Sequence, residues 1–489
     1  MLRVDDAEAD GFLPIDASGY GPGHFSPVAP ILARSPAPKR EAEKKGTVFG
    51  SVVNLCATAM GAGVLSLPHA FAQMGALLGI MTVYIIAFFS DMSLVFLSRC
   101  SQCSDRHSFE GVATHYLGAR GAKILNAALV VLLFGGSTLM MIVIMDLLPR
   151  VVQGAVGGVC TNPDPDAAAN WSPPVNGDCW FGSRLFVGMV AVAAVFPLNL
   201  VKDLRALKYT SACAVFCLGY FVSCLVAKMA KQGHLYRPPD SDATDVVLVN
   251  SKYTILIALP IVLSAYLCQF NIFKIEAELR SSDKHKINRV IHIAMLGIAA
   301  TVYAFGGLLG YFLFGASVRN DLLKEFKNDD VVMQVARGAI GLTNMLKIPL
   351  LMMPFREAIN AAIIIPLCRD FCSDSFLRKK PVVAAETLAI MAVLFLAAYF
   401  LESISKDLAL LGCTAGTTIC FILPSIIYLR CLDDADRAKV SPSTLQAWSW
   451  GSVGGRRIDR IIAYAMLYGG VLMSVSSMIT TLVHWNDMQ

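Results

Sequence analysis

Apolar residues are gathered along this chain into blocks of about twenty, separated by short polar stretches. A block of that length suffices for one α-helix across the hydrocarbon core of a bilayer, which is about 30 Å thick. The pattern predicts an all-α, polytopic membrane protein with about eleven transmembrane helices. The predicted spans, each good to a few residues, are 47–70, 75–98, 123–149, 182–199, 208–230, 253–273, 289–314, 332–363, 381–402, 407–429 and 459–484.

Composition supports a membrane protein and excludes several other classes. Of the 489 residues, 55% are hydrophobic and 16% are charged, whereas about 25% are charged in a typical soluble domain. Lys and Arg lie in short segments between the apolar blocks, so the net charge of +5 forms no basic face for nucleic acid. The sequence has no nucleotide-binding loop, metal-ligand spacing or nucleophile motif, so we expect no metal, no cofactor and no enzymatic activity.

The distribution of charge predicts how the chain lies in the membrane. Residues 1–45 are rich in Pro, Gly, Asp and Glu, which predicts a disordered cytosolic tail ahead of a transmembrane domain at 46–486. With the N-terminus in the cytosol, segments on that side hold about 28 Lys and Arg and those opposite about 10. The odd number of spans then puts the C-terminus outside. We expect the plasma membrane, with a lysosomal or vacuolar membrane as the alternative.

This orientation places residues 150–181 on the external or lumenal side. Most of the fourteen cysteines lie in apolar runs, but Cys160 and Cys179 lie in this loop, together with the glycosylation sequon at Asn170. Disulfides and N-linked glycans both belong to that side of a membrane. We therefore predict a Cys160–Cys179 disulfide and a glycan on Asn170.

Ten of the predicted spans divide into two units of five. Because five is odd, the second unit enters the membrane from the opposite side, which makes the two units an inverted repeat. Inverted repeats are typical of secondary transporters, which hold substrate near the middle of the bilayer at discontinuous helices. This interpretation requires the first and sixth spans to be breakable.

The first span contains two glycines near its middle. Gly61 and Gly63 flank Ala62 within NLCATAMGAGVLSLP at 54–68, and glycines weaken a helix. If the helix unwinds there, amides at the start of its second half can bind a substrate carboxylate, aided by the helix dipole. The alternative is a small-residue surface for close helix packing, and spacing alone does not decide between the two.

The sixth span carries Pro260 and then the polar and aromatic cluster SAYLCQFN at 264–271. Unwound backbone at Ser264, Ala265 and Tyr266 would suit a substrate ammonium or a coupling ion, and Tyr266 could gate the cavity. The alternative is a proline kink whose polar side chains bond to neighbouring helices. Matching interruptions in both units favour the transporter.

Lys347 lies well inside the predicted eighth span. A lysine in hydrocarbon is costly and indicates a role. It could be a fixed or titrating cation where sodium would otherwise bind, or it could extend along a wet cavity. We predict that Lys347 has an ion-coupling role.

Three stretches resemble the amino acid/auxin permease family, which includes vesicular, proton-coupled and sodium-coupled amino acid transporters. They are GTVFGSVVNLCATAMGAGVLSLP at 46–68, IFKIEAELRS at 272–281 and LKIPLLMMPFRE at 346–357. The resemblance spans nearly all of residues 46–484. It implies the leucine-transporter fold with a 5+5 inverted repeat, and amino acids as substrates.

The same resemblance implies substrate-binding residues at both breaks. These are Thr58, Gly61, Ala62, Gly63, Ser264, Ala265 and Tyr266. Two positions depart from the sodium-coupled members, because Lys347 stands where those typically have a sodium-binding Thr and Ala57 where they often have Asn. An ammonium repels sodium.

We therefore expect secondary amino acid transport by alternating access, proton-coupled or sodium-independent, with a neutral substrate favoured. In the predicted mechanism, spans one, two, six and seven rock against spans three, four, eight and nine. The alternative is an amino acid-sensing receptor on the same fold, in which the N-terminal tail would bind a signalling partner.

The predicted topology can be tested at Asn170. Asn170→Gln is expected to abolish a glycosidase-sensitive mobility shift in chain expressed in eukaryotic cells, because only an external or lumenal sequon is glycosylated. Asn176→Gln, in the same loop but outside any sequon, is the control and should keep the shift. A wild-type chain without the shift would contradict the prediction.

Overall fold

A computed structural model of the protein describes most of the predicted membrane domain. The described residues are 47–156, 183–200, 207–232, 246–250, 254–279, 286–326, 330–364, 379–401, 404–437 and 455–484. The predicted tail at 1–45, Cys160, Cys179 and Asn170 lie outside them, so the predictions made there remain predictions.

The described residues form α-helices joined by short 3₁₀ and π segments. The helices are α1 (Val48–Ala59), α2 (Leu67–Met74), α3 (Ala76–Ser104), α4 (Phe109–Val156), α5 (Arg184–Leu200), α6 (Leu207–Gln232), α7 (Ile255–Ser264), α8 (Ile272–Glu278), α9 (Ile287–His292), α10 (Ala300–Phe314), α11 (Val331–Ile359), α12 (Lys380–Phe400), α13 (Ile404–Leu411), α14 (Leu423–Arg437) and α15 (Gly455–Val483). The all-helical fold class is confirmed.

The number of spans is close to the sequence prediction. Nine stretches among the described residues are long and apolar enough to cross a membrane, and the bent pair α1 and α2 makes a tenth. Helix α5 coincides with the predicted fourth span and is apolar, but its 17 residues are near the lower limit for crossing a bilayer. A count of eleven therefore stays a prediction.

The predicted interruption of the first span is confirmed. Helix α1 begins after Thr47, whose hydroxyl accepts from the amide of Gly50 at 3.1 Å, and it ends at Ala59. A 3₁₀ turn at Ala62–Ser66 leads into α2, and the two halves of the span are bent by 52°. Glycines interrupt the helix where its apolar pattern continues, because they add no side-chain packing to hold it.

The sixth span is interrupted as well. Helix α7 ends at Ser264, a 3₁₀ turn covers Gln269–Asn271, and α8 begins at Ile272. Residues 265–268 between them are not helical. The two interruptions fall in the first helix of each predicted five-span unit, as an inverted repeat requires, and the repeat itself remains a prediction.

The interrupted spans are surrounded by other helices. Helix α2 packs against α7 and α10, α1 packs against α6 and the π segment Ile293–Ala299, and α7 packs against α13 and α15. A second group forms around α4, which lies along α11, α5 and α12. The breaks are therefore enclosed by protein.

The connection between α10 and α11 contacts α2. The hydroxyl of Ser66 donates to the carbonyl of Asn320 at 2.8 Å, and Nδ1 of His69 lies 3.1 Å from the carbonyl oxygen of Val318. Both are bonds between neutral groups. They attach the connection to the second half of the first span.

The same connection is bonded to α11 and α4 through charged groups. The fully buried guanidinium of Arg337 donates to the carbonyls of Leu323, at 2.9 Å, and of Phe326. The ammonium of Lys324 donates to the carboxylate of Asp146 in α4 at 2.6 Å. Hydrogen bonds with a charged partner are stronger than neutral ones.

Gly412 in the π segment after α13 allows that segment to approach the sixth span. A Cβ at this position would lie 2.1 Å from the carbonyl oxygen of Pro260, well inside contact distance. Backbone cannot yield as a flexible side chain would, so α7 and this segment would have to separate.

Gly412→Ala should therefore destabilise the fold by about 1–3 kcal/mol, the usual cost of overpacking. Gly469→Ala, at a position in α15 where a Cβ meets nothing within 4 Å, is the matched control and should be neutral or stabilising. Thermal unfolding of the purified chains in detergent measures the difference. Equal melting temperatures for the two variants would show that the close approach is absent.

Candidate functional site

The two helix breaks touch each other. A Cβ on Gly63 would lie 3.0 Å from the Cβ of Ala265 and 3.1 Å from its Cα, so any other residue here would require the two segments to move apart by a few tenths of an ångström. Because a larger residue on either side would push the broken spans apart, the pair of small residues is a condition for the site.

Tyr303, in α10, connects the two breaks. Its hydroxyl lies 2.8 Å from the carbonyl oxygen of Ala59, at the end of α1, and 2.6 Å from that of Ala265. The two carbonyls therefore share one hydroxyl proton, and that of Ala59 also accepts from the backbone amide of Gly61 at 2.9 Å. The side chain is fully buried, where an unpaired carbonyl is costly.

A side-chain hydrogen bond also joins the first span to the sixth. The side-chain amide of Asn271 donates to the hydroxyl of Thr58 at 2.8 Å, and that hydroxyl donates to the backbone carbonyl of Asn54 at 2.9 Å. Thr58 thus holds the start of the second half of span six against α1.

Side chains also form hydrogen bonds at the break in the sixth span. The carbonyl of Tyr266 accepts from the hydroxyl of Ser90 in α3 at 3.3 Å, and Ser90 accepts from the amide of Gln269 at 3.0 Å. The ring of Tyr266 packs edge-on against that of Tyr303, with centroids 4.9 Å apart. Its buried hydroxyl has no hydrogen-bond partner among the described residues.

Lys347 in α11 contacts the first break directly. Its ammonium donates to the carbonyl of Met60 at 2.9 Å, immediately after α1 ends. The predicted eighth span therefore supplies a cation to an unwound carbonyl of the first. Spacing along the sequence predicted a role for the lysine, but not this partner.

A small cavity opens beside this contact. It is lined by Met60, Gly61, Val64, Leu65, Ala214, Leu218, Ile340, Thr343, Asn344 and Lys347. The side-chain nitrogen of Asn344 is buried here without a partner among the described residues. The lining is apolar apart from a few polar groups and one cation, and it includes no carboxylate among the residues described.

The structure brings some of the predicted site residues together. Gly61 borders the cavity, and a Cβ there would meet nothing within 4 Å. The 3₁₀ turn that begins at Ala62 has no side-chain cap among the described residues, which leaves its first amides for another acceptor. The hydroxyl of Ser264 instead donates within its own helix, to Ile261 at 2.7 Å.

Sequence reasoning missed Tyr303, Ser90 and Asn344 as members of the site. Each is a polar residue within an apolar span, and such residues usually contact the protein interior. That signal marks them as inward-facing, but it does not identify which carbonyl or cavity they face.

An all-helical membrane domain with two interrupted helices meeting beside a partly buried cation is characteristic of membrane transport proteins. The sequence matches the family described as "Transmembrane amino acid transporter protein" over residues 44–446. The chain therefore belongs to this amino acid transporter family, as its motifs predicted. The family is one of transporters, and its description names no enzymatic activity.

Individual relatives are similar over most of the chain. Amino acid transporter AVT6B of Arabidopsis thaliana is 29% identical, covering 82% of this chain and 87% of the relative. Vacuolar amino acid transporter 5 of Schizosaccharomyces pombe is 27% identical, covering 88% and 93%. Sodium-coupled neutral amino acid symporter 2 of Danio rerio is 23% identical, covering 78% and 75%.

The contrast between Tyr303 and Tyr266, whose rings pack edge-on, gives a test of the site. Tyr303→Phe should destabilise the chain by about 1–3 kcal/mol, because the buried carbonyl of Ala265 loses its side-chain donor and that of Ala59 is left with the Gly61 amide. Tyr266→Phe removes a hydroxyl with no partner among the described residues, so its thermal stability should match the wild type or exceed it. Melting temperatures in detergent, measured without substrate, compare the two, and equal losses would contradict the bridging role of Tyr303.

Proposed function

We propose that this chain is a secondary active transporter of neutral amino acids that uses protons, and not sodium, as its driving ion. The observation that carries the proposal is the bond of 2.9 Å between the Lys347 ammonium and the Met60 carbonyl. In broken-helix transporters, unwound carbonyls of this kind are ligands for the coupling ion. Here a side-chain cation takes that carbonyl.

Electrostatics explains why sodium would be excluded. Two unit charges about 4 Å apart repel by about 4 kcal/mol at an effective dielectric constant of about 20. That energy corresponds to a loss of nearly a thousandfold in affinity. Ala57 also offers no side-chain oxygen to help hold an ion. The relative from Danio rerio is named as sodium-coupled, and we attribute the proposed difference in coupling to these two positions.

The proposed substrate position lies at the two breaks. The uncapped amides after Gly61 would bind the carboxylate, and unwound backbone around Ala265 and Tyr266 would bind the ammonium. Lys347 lines the adjacent cavity, and its charge disfavours a cationic substrate side chain. These features favour a neutral amino acid over a cationic one.

The proposed mechanism is alternating access. Lys347 belongs to the predicted scaffold of spans three, four, eight and nine, and Met60 to the predicted moving bundle of spans one, two, six and seven. Their contact therefore crosses the surface at which the two parts would slide. Separation of the parts would expose the ammonium and free the carbonyl.

A vacuolar or lysosome-like membrane is the proposed location, because two relatives are named as vacuolar transporters. The lumen of such a compartment is acidic, so a proton gradient across its membrane is available to drive export. The N-terminus would face the cytosol, following the distribution of Lys and Arg. The sequence alone led us to expect the plasma membrane. Imaging of a fluorescently tagged chain distinguishes that location from the vacuolar or lysosome-like membrane proposed here.

The proposal is tested by transport after reconstitution of the full chain into proteoliposomes. Uptake of radiolabelled L-alanine and L-glutamine should be saturable and should respond to an imposed proton gradient, with little response to sodium. Lys347→Thr should lose the ammonium–carbonyl bond and gain stimulation by sodium. Thr343→Val is the control, because among the described residues its hydroxyl bonds within its own helix, to Ala339 and Ile340.

Two outcomes would contradict the proposal. Wild-type uptake that rises steeply with external sodium, at fixed membrane potential and pH, would show sodium coupling in spite of Lys347. Substrate binding without flux under any gradient would instead favour the amino acid-sensing receptor.

A further inference from the structure

A carboxylate and an imidazole meet in the core between α3 and α9. Oδ2 of Asp91 lies 2.7 Å from Nδ1 of His292. The Asp91 side chain is fully buried, whereas the His292 side chain is 31% exposed. The other carboxylate oxygen, Oδ1, is buried and has no partner among the described residues. Buried ionisable groups inside a membrane domain are costly and usually functional.

We propose that Asp91 and His292 together form the site that binds and releases the transported proton. This inference rests on the proton-driven transport proposed above, and it assigns a place to the proton. The pair is distinct from Lys347, which acts in the proposal as a fixed replacement for sodium.

The chemistry of the pair suits one exchangeable proton. When the imidazole of His292 carries a proton on both ring nitrogens, it is a cation beside the Asp91 carboxylate, and the pair has no net charge. When that proton leaves through the exposed side of the ring, a single buried negative charge remains on Asp91. An apolar core disfavours that charge, whereas hydration stabilises it. Binding therefore depends on whether the site is dry or wet.

The surroundings of the pair contain neutral groups. Within the described residues, Asp91 interacts electrostatically with His292 and with the thiol of Cys268, from the break in span six. Two residues after His292, the carbonyl of Ala294 accepts from the thiol of Cys56 in α1 at 3.7 Å. A thiol with an ordinary pKa of about 8.5 is mostly uncharged at neutral pH.

Both broken spans lie beside the pair. Ser90, the residue before Asp91, donates to the unwound carbonyl of Tyr266. His292 is followed directly by the π segment Ile293–Ala299, against which α1 packs. π segments are often found at functional sites. A displacement of α1 would therefore change the hydration of His292, which couples the proton to the conformation.

Asp407 is a second buried carboxylate in a span, and it makes a poorer proton carrier. Its Oδ2 is also without a partner, but no interacting cation or imidazole is found for it among the residues described. A carrier must release its proton as well as bind it, and release needs a neighbour that stabilises the anion. Asp91 has such a neighbour in His292.

The test separates proton-driven transport from exchange. Proteoliposomes containing the full chain are assayed for accumulation of radiolabelled L-alanine and L-glutamine under an inward proton gradient, and for counterflow at equal pH. A pH-sensitive dye inside the vesicles reports proton entry. Asp91→Asn and His292→Gln should lose accumulation and the dye signal while they keep counterflow.

Glu386→Gln is the matched control, because it neutralises a carboxylate on α12, which packs against α4, α5 and α11. It should keep both activities. Wild-type counterflow without proton-driven accumulation would contradict the proposed coupling and leave no proton to assign. Wild-type accumulation that persists in Asp91→Asn or in His292→Gln, with an unchanged pH profile, would overturn this inference alone.

If only one variant loses counterflow, the other tests the inference. That variant must lose proton-driven accumulation and keep counterflow for the inference to stand. Loss of counterflow in both would assign the pair to packing and would also overturn the inference.

Discussion

The structure depends on one constraint: a backbone carbonyl freed inside a membrane domain has no water to bond, so a side chain must serve it. Breaking two spans creates several such carbonyls. Tyr303 takes one from each break, Lys347 takes the Met60 carbonyl, and Ser90 takes that of Tyr266. These donors come from three different helices, so the breaks determine how those helices are arranged around them.

The positions of the breaks could be predicted from the sequence because their causes are local. Glycines at 61 and 63 and the polar run after Pro260 weaken a helix wherever it is placed. The all-helical class followed equally directly from the length of the apolar blocks. Family motifs then led to the amino acid transporter family, which the comparisons bear out.

The partners at the breaks could not be predicted in the same way. Tyr303 and Ala59 are 244 residues apart in sequence, and Lys347 and Met60 are 287 apart. Such pairs are selected by helix packing, which a single sequence does not reveal. The sequence indicated that Lys347 was costly and therefore meaningful, whereas its acceptor became apparent only when α11 was placed beside the end of α1. The roles assigned to the predicted binding residues remain proposals.

The connection between α10 and α11 has two unequal attachments. Bonds from Ser66 and His69 on the α2 side join neutral groups, whereas those from Arg337 and Lys324 on the other side are assisted by charge. The attachment to α2 is therefore the weaker of the two. If this face of the protein opens, the connection will travel with α11 and α4 as part of one rigid body. In the proposed rocking motion, α2 would then leave the connection together with the rest of its bundle, and the entrance would open along the line of these two bonds.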